Sequence, residues 1–172
     1  TLIMKINKLF ILPALLVAMS VCGQPAFDRL EANNDITTLV VSQKMFQMLS
    51  KIDSKDADAK EFMDIANKLK SMKVFSTENA KAASVMKTEV QQYVKSAALS
   101  ELMRVKDKKQ NVKFYTKGGK DANKVSELLM VVEPSTNTTQ MVILSLTGDI
   151  DLSKLGVLTK NMNLPQEIKD IK

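Results

Sequence analysis

Between residues 36 and 97 the apolar positions of this chain recur mostly at helical spacing, and from residue 102 they alternate or run together as in strands. Residues 36–41, Ile-Thr-Thr-Leu-Val-Val, are β-branched and predict an opening strand. Ser42 then stands at the cap position of a short helix with Met45, Leu49 and Ile52 on one face. A polar link from Asp53 to Asp58 leads to a second helix that aligns Phe62, Ala66 and Leu69. Residues 72–75, Met-Lys-Val-Phe, predict a short strand. Thr77 is placed to cap a long helix in which Ala82, Met86, Val90, Tyr93 and Ala97 recur every three or four positions.

The second half reads differently. "LMRVK" (102–106) and "VKFYTK" (112–117) alternate around the turn-like "DKKQN" (107–111) and predict a hairpin. "SELLMVVE" (126–133) and "QMVILSLT" (140–147) are apolar on both faces, as strands covered from both sides must be. Gly148 is expected to end the last strand and Asp151 to cap a final helix through Leu155 and Leu158, with Pro165 restarting a short C-terminal segment. The expected fold is α+β: a mostly antiparallel sheet of about five to six strands with helices packed against it. No internal repeat or long Gly/Ser/Pro linker divides residues 24–172, so they are read as one domain.

Ahead of that domain the pattern changes again. Met4 is the expected start, followed by Lys5 and Lys8, and an apolar run extends from Leu9 to Cys22 with Pro13 inside it. The run is too short to span a bilayer comfortably and suits the core of a signal peptide over residues 1–23. Export is therefore expected, to the periplasm or the exterior. Val21 and Gly23 satisfy ordinary signal peptidase, which would leave Gln24 as the new N-terminus. The alternative is lipidation of Cys22, the single cysteine, which would anchor the protein to a membrane. Val21 is bulky for the residue before a lipidated cysteine, so cleavage after Gly23 is the preferred reading.

Composition narrows the chemistry. Without Lys5 and Lys8 the chain keeps 23 cations and 19 acids, too weak a positive balance to predict nucleic-acid binding. There is no histidine and no tryptophan, and after cleavage no cysteine remains. Zinc sites built from His and Cys, Ser-His-Asp and Cys-His nucleophile systems, and disulfides are all excluded from the mature chain. Catalysis would have to use carboxylates, lysines, tyrosines or a cofactor, and no cofactor is predicted.

The blocks "ELMRVKDKKQNVKFYTK" (101–117), "SELLMVVE" (126–133) and "VILSLTGDIDLSKL" (142–155), with "ITTLVVSQKMFQML" (36–49) ahead of them, resemble a family known as domain of unknown function 4252. The resemblance spans nearly the whole mature chain. It implies a small exported protein of the Bacteroidota with a Gram-negative envelope address, and it implies no activity, cofactor or catalytic residue.

The strongest candidate for chemistry is the basic hairpin. Residues 104–124 carry Arg104, Lys106, Lys108, Lys109, Lys113, Lys117, Lys120 and Lys124 against Asp107 and Asp121 only. If Met103, Val105, Val112 and Phe114 face the core, strand alternation puts Arg104, Lys106, Lys113, Tyr115 and Lys117 together on the outer face. Four cations around an aromatic ring suit an anionic envelope component or an acidic protein. The plainer reading is a solvated strand face whose lysines prevent aggregation, with Glu127 opposite.

Other motifs rank lower. Asp149 and Asp151 have the spacing of a paired cation ligand but read better as helix-capping acids. The acidic run Asp53, Asp56, Asp58, Glu61 and Asp64 has Lys60 and Glu61 where an EF-hand needs an oxygen ligand and a glycine. Ser84-Val85-Met86-Lys87 matches a Ser-x-x-Lys nucleophile pattern only by its two end residues. Met45-x-x-Met48 suggests Cu(I) less than it suggests pliable core. No metal site is predicted. The chain thus reads as an exported, non-enzymatic binding or accessory protein that uses the basic hairpin face. The alternatives are a membrane-anchored lipoprotein with a structural or stress-response role, and a carboxylate- or cofactor-dependent enzyme.

Overall fold

The computed structural model describes residues 27–51, 57–106, 111–118, 121, 123–136 and 139–154. A short helix α1 (Asp28–Glu31) precedes β1 (Thr37–Ser42), α2 (Gln43–Leu49), α3 (Ala57–Ala66) and β2 (Leu69–Thr77). Helix α4 (Ala80–Ser96) leads to β3 (Ser100–Lys106), β4 (Asn111–Gly118), β5 (Lys124–Glu133) and β6 (Met141–Asp151), followed by a 3-10 turn, Leu152–Lys154. All six strands form one antiparallel sheet in the order β1-β2-β6-β5-β4-β3. The fold is α+β, as the change of hydrophobic period predicts.

The chain builds the sheet from an antiparallel strand pair and a meander. β1 and β2 make the first, and β3 to β6 make the second. α4 carries the chain across the sheet so that β6 closes against β2. That pairing puts β5 and β6 at the centre and explains their apolar character on both faces. Leu128, Met130, Leu144 and Leu146 point to one side, where Phe46 of α2 and Ile65 and Ala66 of α3 cover them. Leu129, Val131, Met141 and Ile143 point to the other, beneath Leu30 of α1 and Ala82, Ala83, Met86 and Val90 of α4. Each large side chain buried in this way contributes roughly 1.5–3 kcal/mol, so neither layer is dispensable.

Several local expectations need correction. Leu69 opens β2 opposite Gly148 and does not extend α3, which ends at Ala66. The buried residue of α2 is Phe46, while Met45 and Met48 are exposed, so this methionine pair is surface and not core. The α4 cap is Asn79, whose side chain accepts from the Lys81 and Ala82 N–H groups. Thr77 instead ends β2, buried, donating its hydroxyl to the Asp35 carbonyl at 2.6 Å and accepting from the Asn79 N–H at 3.1 Å. Both residues suit a cap in sequence, and the length of β2 decides between them.

Gly148 does not end a strand either. It lies inside β6, opposite a register shift in β2 between Leu69 and Ser71. Asp151 is the last residue of β6, and its carboxylate caps the 3-10 turn through the Ser153 N–H at 3.0 Å and hydroxyl at 2.6 Å. The expected continuation through Leu155 and Leu158, the segment from Pro165, the leader and Cys22 lie outside the described residues.

Candidate functional site

The hairpin strands place their side chains as alternation requires. Val112 and Phe114 are buried on the side of α2 and α3, with Met103 packed beside them. The register pairs Arg104 with Lys113, Glu101 with Tyr115, and Lys106 with Asn111 across β3 and β4. It also pairs Lys113 with Val131, Tyr115 with Leu129 and Lys117 with Glu127 across β4 and β5. Arg104, Lys106, Lys113, Tyr115 and Lys117 therefore share one face of the sheet.

That face is partly covered and not the open outer face that strand alternation predicts. It is the face that α4 crosses, and Tyr115, like Tyr93 and Val94, is partly buried against the α4 core. Between α4 and strands β4 and β5 a crevice of about 380 Å³ remains. Val90, Val94, Val131 and Met141 give it an apolar floor, and Lys87, Gln91, Lys95, Lys113, Tyr115 and Glu133 line its walls. A second hollow of about 260 Å³ shares Lys87, Glu133 and Met141, and so continues the depression along α4 past Ser84.

Carboxylates divide the cations of this face into two kinds. Glu133, nearly buried, accepts from Lys113 Nζ at 2.7 Å and from Asn111 Nδ2 at 2.6 Å, with Lys87 Nζ 4.0 Å away. Lys113 is thus a structural counter-charge. Arg104 forms a bidentate pair with Glu101, through Nε at 3.0 Å and Nη2 at 2.6 Å. That hydrogen bonding holds the Glu101 carboxyl below its usual range and raises the already high Arg104. Lys106 and Lys95 have no ion-pair partner among the described residues.

Glu127, across from Lys117, is buried, and the Tyr93 hydroxyl lies 2.8 and 2.9 Å from its two carboxylate oxygens. Burial raises the Glu127 pKa, against the opposing pull of the Tyr93 hydrogen bond and the Lys117 charge. Burial, the hydrogen bond and the carboxylate charge all push the Tyr93 phenol up. With both oxygens against the core phenol, Glu127 serves the fold and not the crevice.

The lower-ranked motifs do not converge. Asp149 pairs with Lys124 at 3.3 Å while Asp151 holds Ser153. Of the acidic run, Asp53 and Asp56 lie outside the described residues, and Glu61 sits 3.7 Å from Lys154. Ser84 and Lys87 lie one turn apart on α4 and line the same hollow, where the nearest partner of the Lys87 ammonium is Glu133. Among the described residues no three His, Cys, Asp or Glu side chains gather to hold a metal, and no helix is long and apolar enough to cross a membrane.

Sequence reading did not join Lys87, Gln91, Lys95 and Glu133 to this face, and met Lys87 only in the Ser-x-x-Lys pattern. The first three recur every fourth residue beside Val90 and Val94, which marks the polar border of an amphipathic helix. What the pattern lacks is the identity of the strand that border faces. In comparisons with known proteins, the family model described as "Domain of unknown function (DUF4252)" matches residues 30–158. No curated protein and no solved structure matches the chain.

Proposed function

The chain belongs to the DUF4252 family, and we propose that it is an exported, non-enzymatic binding protein that holds an anionic envelope component on the basic face beside α4. The observation that carries this reading is the crevice itself. It joins an apolar floor to a wall of Lys87, Lys95, Lys113, Tyr115 and Glu133, with Lys117 further along β4 and Arg104 and Lys106 on neighbouring β3. A ligand with an apolar part and an anionic group matches that division, as a lipid with a negative head group does. Lys113 is committed to Glu133, so the free attraction comes from Lys95, Lys106 and Lys117, with Arg104 at the rim.

The test is co-sedimentation of the folded protein with vesicles of an anionic phospholipid. Retention is expected on these vesicles and not on zwitterionic ones, and it should fall steeply as salt rises through the physiological range, because exposed charges are screened. Equal retention on both vesicle types would remove the electrostatic reading.

The protein is proposed to reach the envelope after cleavage behind Gly23. The intact mass of the native protein, taken from soluble and membrane fractions, checks this. A soluble species beginning at Gln24 is expected. A membrane species beginning at a lipid-modified Cys22 would replace it with the tethered lipoprotein.

A further inference from the structure

The sheet has two edges, and they are built differently. β3 carries Glu101, Arg104 and Lys106, charges of the kind that keep an edge strand from pairing. β1 pairs only with β2 among the described residues, and its sequence, Thr-Thr-Leu-Val-Val-Ser, holds no charge, no proline and no glycine. Its Leu39 and Val40 are 53% and 51% exposed, and α2, which follows directly, exposes Met45 and Met48. Four of the six exposed large apolar side chains among the described residues fall in this short stretch.

We propose that β1 is a dimerisation strand, which pairs antiparallel with β1 of a second copy of this chain about a two-fold axis through Val40, extending the sheet across both copies. This does not depend on the function proposed above. Three observations point to a second copy and to this register.

A two-fold axis perpendicular to a sheet keeps each face on its own side, so it must pass through a residue and pair positions of like parity. Centring on Val40 sets Leu39 opposite Val41, with Val41 already packed against the core beneath α2 and α3. It also sets Thr38 opposite Ser42. Thr and Ser facing each other across strands form a favourable polar pair. Centring on Leu39 would instead face polar Thr38 with apolar Val40.

Charge agrees as well. Asp35 precedes the strand and Lys44 follows it. The antiparallel arrangement brings acid to base at both ends, whereas a parallel one would bring like to like.

The test uses single cysteines in a Cys22→Ser background, together with the oligomeric state of the otherwise unaltered chain. Residues directly opposite in an antiparallel pair have Cβ atoms about 4.5–5.5 Å apart, within reach of a disulfide after a small adjustment. Val40→Cys is expected to cross-link to itself under mild oxidation, and Thr37→Cys, far from the axis, is not. Sedimentation of the unaltered protein should show a dimer that dissociates on dilution. Val40→Lys should shift it at least ten-fold toward a monomer that remains folded, because it buries two like charges at the axis. A protein that is monomeric at every concentration overturns the proposal. So does a dimer that Val40→Lys leaves intact and Val40→Cys fails to cross-link.

Discussion

Replacing Gly148 by alanine is expected to destabilise the protein by about 3 kcal/mol or more, which lowers the melting temperature by roughly 10 °C. Gly148 sits in β6 at φ 150°, a region that side chains with a Cβ rarely adopt. A Cβ there would run into the Lys68 carbonyl oxygen and lie 2.8 Å from the Leu69 Cα, both backbone atoms that cannot swing aside. The same carbonyl accepts the Asp149 N–H at 3.1 Å, so relieving the clash breaks the hydrogen bond that ties β6 to the approach of β2. Gly118 is the control. Nothing lies within 4 Å of its hypothetical Cβ, and Gly118→Ala is expected to change stability by no more than about 0.5 kcal/mol. Thermal unfolding of both variants reads the difference, and equal losses would refute the close approach at Gly148.

Tyr93→Phe is expected to cost about 2–3 kcal/mol at neutral pH, although it removes a single oxygen. The Tyr93 hydroxyl bonds a carboxylate that is 5% exposed. Its loss leaves Glu127 buried without its donor, and a buried charged group left unpaired costs more than the bond itself contributed. The pH dependence follows from the raised Glu127 pKa. A carboxyl whose folded pKa lies above its unfolded value stabilises fully below the unfolded pKa and loses that contribution as pH rises through the folded one. The penalty of Tyr93→Phe should therefore shrink as pH falls toward the ordinary carboxyl range. Glu127→Gln, which keeps an acceptor for Tyr93 and removes the charge, should flatten that part of the profile. Denaturant unfolding at several pH values measures both. A Tyr93→Phe variant as stable as wild type at neutral pH would show that Glu127 is solvated.

Much of the fold is legible in the sequence, because each strand carries its own signal. The double-faced apolar runs at 126–133 and 140–147 identify the central strands, and the alternation in 102–117 places the hairpin. The period of Ala82, Met86 and Val90 gives the buried side of α4. What stays illegible is long-range pairing. Nothing local to β2 or β6 announces that they are neighbours, and that contact carries α4 over the basic face. The hairpin's outer residues are legible as a set, whereas their division into paired and free cations is not. Glu133 and Glu127 look like ordinary strand residues until the register sets them beside Lys113 and under Tyr93. Gly148 is hard to place for the same reason: a glycine near a strand's end signals a turn, and only its approach to Lys68 reveals the bulge.

Binding of an anionic surface by the cations beside α4 and on the hairpin is the proposed function. Its most direct test is vesicle binding by a variant with Lys95, Arg104, Lys106 and Lys117 all changed to Gln, leaving Lys113 to its pair with Glu133. Each cation near an anionic bilayer contributes roughly 1 kcal/mol, so removing four should lower affinity for anionic vesicles by roughly three orders of magnitude while the variant stays folded. Undiminished binding by the folded variant would contradict the claim.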